Sequence, residues 1–334
     1  MTARWTLAAM TALVISAAAL AQTPPVTKPA VPPPTASATP APAAPATPAP
    51  TTPVTGIRSK ISAADLPSAE SILEVYRVKF GEDSNWLTGL SWLARGALLT
   101  GDTTKARRYA NDVSARVEQK LAAGGSLEKD HLEIPAGAAV EVIAQLLAQQ
   151  RTPKAAADYV RSQLVRLQGP PSFQSRLNKR INLLEMEGTA APEIAVDDFV
   201  GARPPTLASL KGKPVLLFAW AEWCGDCRAQ AATLAAARSR HAAKGLQVIA
   251  LTRYYEDSTA ARVREKARVD SVWKADYADL KDVPVVFSTA SMVRYGISST
   301  PTFVFVDRQG IVRRYTPTRL TEEEMDRSLA ALAP

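Results

Sequence analysis

The 334-residue chain has two cysteines, and both stand in the run Trp223-Cys224-Gly225-Asp226-Cys227. Three chemistries could use such a pair. As a structural disulfide it would close a loop so small that it constrains almost nothing of the unfolded chain. As a zinc site it would supply two of the four ligands zinc prefers, with only His131 and His241 to add imidazoles. As a redox dithiol it needs one sulfur held as thiolate and a second within reach, and Cys-x-x-Cys after a strand and before a helix meets that need. The expectation is therefore redox chemistry, with no metal and no cofactor.

The flanking sequence places the two sulfurs. Val215 to Ala221 reads as an apolar strand and a helix is predicted from about Gly225 to His241, so Cys224 falls at the turn and Cys227 in the first helical turn. There the helix dipole and free amides should lower the Cys224 pKa from the free-cysteine value of about 8.5. Cys224 is then the attacking nucleophile, and Cys227, one turn inward, resolves the mixed disulfide. The motif fixes the reaction type and leaves its direction open. Asp226 puts a negative charge between the sulfurs, which should oppose the helix and favour a reductase or isomerase partner over a strong oxidant.

Beyond this turn, short apolar runs alternate with helical patterns. Strands are expected at Leu246–Leu251, Val283–Phe287, Phe303–Val306 and Ile311–Tyr315, with helices at about Thr259–Trp273, near Tyr295 and at Thr321–Leu332. This is an α/β sheet with crossover connections, closed by a hairpin at Asp307-Arg308-Gln309-Gly310.

Phe218 to Cys227 resembles the active-site strand and turn of thioredoxin-fold proteins, and Thr300-Pro301-Thr302-Phe303 resembles their cis-proline loop. The resemblance implies that Pro301 abuts the disulfide, that Thr300 pairs by backbone with an incoming substrate, and that Trp223, Gly225 and Asp226 surround the reacting sulfur. About 30 residues between Leu251 and Pro301 supply a helix and a strand that a minimal thioredoxin lacks. With Ala191-Pro192-Glu193 and Leu210-Lys211-Gly212-Lys213, they make residues 191–334 similar to the TlpA/ResA-like exported thioredoxins, some of which serve cytochrome c maturation. That family implies protein thiol or disulfide substrates and a membrane or envelope electron donor. Two departures stand out. Gln230 and Ala232 occupy the places of a common glutamate and proline, and Phe218 replaces the buried aspartate of classical thioredoxin.

Upstream, residues 57–190 are rich in Ala, Leu, Arg, Gln and Glu with apolar residues at helical spacing, which predicts an all-α domain. Trp92-Leu93-Ala94, the Gly101-Asp102 turn and Ala106 with Ala110 suggest a tetratricopeptide-like helix pair. A second pair would run from Val140 through Arg151-Thr152-Pro153 to Tyr159, although the two breaks are spaced too widely for a regular repeat. Such a domain serves either as a bundle for stability or dimerisation or as a groove for a peptide or protein partner. His131 reads as a solvated loop residue.

About half of the 25 prolines crowd into 22–56, a Pro/Ala/Thr-rich linker with a reach of roughly 100 Å as polyproline II. Residues 1–21 combine Arg4, a short apolar core and Ala19-Leu20-Ala21, the pattern of a signal peptide cleaved after Ala21, with a retained anchor as the alternative. Export to the periplasm or cell envelope is expected. The formal charge of +8 is spread in pairs such as Arg107-Arg108 and Arg313-Arg314, which gives no nucleic-acid footprint.

The functional expectation is an exported protein-disulfide reductase. One rival is a peroxidase of the peroxiredoxin or glutathione-peroxidase type, against which Ala221 stands where a Thr-x-x-Cys context would need threonine. A helical-repeat binding protein with an accessory redox domain is the other.

Overall fold

A computed structural model describes residues 52–332. The leader expected at 1–21 and the linker up to residue 51 lie outside the described residues.

The described chain opens with helices α1 (Val54–Ser62), α2 (Leu66–Phe80), α3 (Ser84–Leu99), α4 (Thr103–Ala122), α5 (Glu133–Gln150), α6 (Pro153–Leu167) and α7 (Pro171–Glu185). Because α1 starts at Val54, the last residues assigned to the linker already belong to the helical part. Local chemistry starts several of these helices. Asp65, Asp83, Asp102 and Thr152 accept the amides of Ser68, Trp86, Lys105 and Ala155 at 2.8–3.1 Å, each satisfying a donor the helix itself leaves free. The two helix pairs expected from the sequence are present as α3/α4 and α5/α6.

Contacts arrange the helices in two layers. Helices α1, α3, α5 and α7 touch in series, while α2, α4 and α6 each fill the groove between consecutive members of that row. Helix α5 is apolar on almost every side and sits centrally, against α3, α4, α6 and α7, as a helix without a polar face must. His131 lies in the α4–α5 connection, exposed, with φ of 54°.

After α7 the chain joins a six-stranded sheet. Its strands are β1 (Asp198–Val200), β2 (Val215–Ala219), β3 (Gln247–Thr252), β4 (Val285–Phe287), β5 (Thr302–Val306) and β6 (Val312–Thr316), in the order β1-β4-β3-β2-β5-β6. β2, β3 and β4 run parallel and the remaining pairings are antiparallel. This is a thioredoxin-like sheet, and the Asp307–Gly310 turn joins β5 to β6 as a hairpin. The extra segment before Pro301 contains α10 (Thr259–Asp276) and β4. β1 was not anticipated: it has three residues, lies at the sheet edge and buries only Val200, too little to leave an alternating pattern.

Alternation along β2 separates two cores. Leu216 and Phe218 face α9 (Ala231–His241), α10 and α12 (Glu322–Ala330), whereas Val215, Leu217 and Ala219 face α11 (Thr289–Arg294), Tyr295 and Met186. The second face is where the helical domain docks. Asn178 and Asn182 of α7 donate to the carbonyls of Val293 and Arg294 at 3.0 and 3.2 Å. Beside them, a Cβ on Gly296 would lie 2.3 Å from the Lys179 amide nitrogen, and Gly296 also has φ of 64°. Glycine is required there twice over, for conformation and for contact.

Candidate active site

All five residues of β2 are buried, which fixes the direction in which the chain enters the active-site turn. Cys224 precedes α8 (Gly225–Arg228) in an extended conformation and caps it: the Cys227 amide donates to Cys224 Sγ at 3.0 Å. The sulfurs are joined as a disulfide with Cα atoms 5.2 Å apart. Cys224 is 5% exposed and Cys227 fully buried. When the bond opens, the amide and the helix start favour negative charge on Cys224, while the apolar surroundings of Cys227 favour its neutral thiol. Both cysteines belong to a buried cluster rich in aromatic rings. Trp220 meets Trp273 at 4.9 Å between centroids, Trp273 stacks on Tyr277 at 4.4 Å, and Phe218 stacks on Phe303 at 5.3 Å.

The expected single helix from Gly225 to His241 is interrupted at Ala229-Gln230 and resumes as α9. Gln230 is buried, and its amide both donates to the Leu320 carbonyl at 3.0 Å and accepts from the Leu320 amide at 2.8 Å. A carboxylate could not make both bonds while ionised. Gln230 thus pins the loop before α12 against the active-site helix. Gln230→Ala should strip two partners from buried Leu320 and cost about 2 kcal/mol in urea unfolding. A loss below about 0.5 kcal/mol would show that the loop is held by other means.

The peptide bond between Thr300 and Pro301 is cis, as the family resemblance implied. β5 pairs Thr302 with Ala219, so Pro301 lies level with Trp220 at the mouth of the turn carrying Cys224. Thr300 and Trp223 share a recess of about 250 Å³, and the indole is 60% exposed. Gly225 is exposed with open space around the position of a Cβ. The Asp226 carboxylate stands in solvent, 3.4 Å from Arg319, with both side chains more than half exposed. Its expected weight against the helix effect is therefore reduced, because water and Arg319 screen it while the Cys227 amide contacts the sulfur directly.

Several residues of the site carried no signal in the sequence motif. Arg253 and Tyr255 follow β3 and wall the recess, with Tyr255 edge-on to Trp223 at 5.5 Å and Arg253 over the Tyr255 ring. The rule that ligand crevices form beyond the carboxyl ends of parallel strands would have pointed to them. Glu222 contacts Arg268 at 3.0 Å and keeps Oε2 buried without a protein partner, beside Trp223. Ser172 and Ser175 reach the recess from α7, and no local pattern could have placed them there. His241 ends α9 with Nε2 3.4 Å from Asp326, away from the cysteines in sequence and held by α12.

Residues 188–315 match the model of the AhpC/TSA family. The C-terminal region is a thioredoxin-like domain of that family. The AhpC/TSA match begins just past α7, so the helical stack lies outside it. The chain is similar to the thioredoxin-like protein YneN of Bacillus subtilis, at 26% identity over 157 residues, 47% of this chain and 85% of that protein. It is also similar to the thiol-disulfide oxidoreductase ResA of Geobacillus thermodenitrificans, at 22% over 149 residues, 44% of this chain and 78% of ResA. The thiol:disulfide interchange protein DsbE of Pseudomonas fluorescens biotype C shares 26% over 129 residues, 38% of this chain and 65% of its own. These relatives agree with the TlpA/ResA-like resemblance of the AhpC/TSA-type domain and support a redox role for it.

Proposed function

We propose that the protein is an exported thiol-disulfide oxidoreductase that reduces disulfides of envelope proteins through Cys224 and Cys227. The observation that carries this reading is the Cys227 amide on Cys224 Sγ, at a helix start that follows β2, the strand whose register brings the cis Thr300-Pro301 bond level with Trp220. The Cys224 thiolate attacks a substrate disulfide and one substrate thiolate leaves. Cys227 then loses its proton and attacks Cys224 Sγ, releasing the second substrate thiolate. The protein ends with the Cys224–Cys227 disulfide, the substrate has gained two electrons and two protons, and an envelope electron donor restores the dithiol. Thr300, Pro301 and Trp223 hold the substrate strand during this exchange, and Gly225 and Asp226 border it. Export rests on the leader pattern of residues 1–21. Among the described residues no helix is long and apolar enough to cross a membrane.

Reduction rather than oxidation is supported by what surrounds the nucleophile. Arg228, Arg268 and Arg319 are directed to Asp276, Glu222 and Asp226, and Cys224 Sγ accepts from the Cys227 amide. The same arrangement disfavours the peroxidase reading, which needs an arginine poised on the sulfur. In cells, a Cys227→Ala chain should accumulate mixed disulfides at Cys224 with envelope proteins, and wild type should reduce insulin with a potential near the roughly −270 mV of thioredoxin. Capture of no partner, or a potential near about −120 mV, would contradict the reading. Faster turnover of hydrogen peroxide than of insulin would favour the peroxidase instead.

A further inference from the structure

Helix α7 carries a stripe that leads from the active-site recess to an unbalanced cluster of charge. Ser172, Ser175, Arg176, Lys179 and Arg180 stand at the i, i+3, i+4, i+7, i+8 spacing of a single helix face. Phe173, Leu177 and Ile181 occupy another face and enter the helical core. Ser172 and Ser175 line the recess with Trp223 and Thr300. One to two turns farther on, Arg176 with Arg95 of α3 bonds Glu141 of α5, and Lys179 and Arg180 lie within its electrostatic reach.

Four cations thus face one carboxylate. Glu141 accepts from Arg176 at 2.8 and 3.0 Å and from Arg95 at 2.9 Å, which occupies both of its oxygens. Arg180 Nε is buried and bonded to no protein atom. Burial, reinforced by the neighbouring guanidinium groups, pulls Lys179 and Arg180 below their ordinary pKa values against the pull of Glu141. Positive charge gathered in a recess with one counter-charge is unfavourable unless an anion completes it.

We propose that this cluster binds an acidic segment of the polypeptide whose disulfide is exchanged at Cys224, with Lys179 and Arg180 taking its carboxylates. The identity of that polypeptide rests on the thiol-disulfide reading above. A polypeptide is favoured over a small anion because the recess serines and the cationic residues share one face of α7 by their spacing. Ser172 and Arg180 are about 12 Å apart along the helix, so about four extended residues would span from the recess to the cluster.

The test uses the oxidised full-length chain and a fluorescent, cysteine-free twelve-residue peptide rich in glutamate, with its glutamine counterpart as control. The glutamate peptide should bind at low salt, and Lys179→Gln with Arg180→Gln should weaken it about tenfold while thermal melts stay at or above that of wild type. Equal binding of the two peptides, in wild type and without recourse to any variant, overturns the proposal. Displacement by inorganic phosphate at the peptide's own concentration would reduce the cluster to a small-anion site and also overturn it. A second arm compares reduction of two disulfide-bridged peptides, one with a glutamate pair four residues from cysteine. The acidic one should show about tenfold higher kcat/KM, lost in the double variant, whose turnover of a small aromatic disulfide remains that of wild type. Binding of the glutamate peptide with reduction of neither bridged peptide would mark failure of the redox reading, and with it of the substrate assignment.

Discussion

A Cys224→Ser chain should lose disulfide reductase turnover by on the order of 10³-fold or more, measured with insulin and a reductant in excess. The hydroxyl is not ionised near neutral pH, so it cannot attack sulfur even with the Cys227 amide in place. Cys227→Ser should behave differently, forming a first mixed disulfide and then stalling. The reduced wild type gives a second readout. Iodoacetamide should modify Cys224 alone, because Cys227 is fully buried. The rate should reach its plateau at a pH below that of free cysteine, about 8.5, since the amide and helix start stabilise the thiolate. Equal modification of both sulfurs, or a plateau at or above that of free cysteine, would remove the nucleophile assignment from Cys224.

The largest effect on stability is expected at Glu141. Glu141→Gln keeps the size of the side chain but leaves Arg95 and Arg176, both largely buried, without their counter-charge, and should cost about 3–5 kcal/mol in unfolding of the helical region. In the folded protein burial would raise the Glu141 pKa, but Arg176 and then Arg95 and Arg180 outweigh it and hold the group well below its ordinary value of 4.5. A depressed pKa contributes stability above pH 4.5, and that contribution declines as the pH falls from there toward the folded-state value. Wild type should therefore lose stability progressively below about pH 4.5, and the Gln variant should lose less over the same interval. Parallel pH profiles for the two proteins would show that Glu141 is not the group being titrated.

Local pattern revealed much of the site. The strand, the turn and the helix start around Cys224 follow from an apolar run, a Cys-x-x-Cys spacing and the change of period after it. The cis bond before Pro301 was legible only through the family resemblance, since a Thr-Pro step alone is compatible with either isomer. The helix breaks at Gly101-Asp102 and Thr152-Pro153 were equally plain, because capping side chains act within three residues. β1 escaped notice for want of length. The role of Gln230 did so because its partner, Leu320, is 90 residues away.

The opening motif therefore divides in a physical way. Sequence by itself determined that the two sulfurs close on each other at a helix start, and hence the class of chemistry, because those relations are set by neighbours a few bonds apart. Tertiary structure decided which groups weigh on that chemistry: Asp226 turned to solvent beside Arg319, Gln230 pinned to Leu320, and both cysteines in one buried cluster with aromatic rings. It also decided that α7 borders the recess, through contacts of Asn178 and Asn182 with carbonyls more than 100 residues away. Such contacts depend on how layers stack, and the periodicity of a single segment records only that it has a face to bury, not what will cover it.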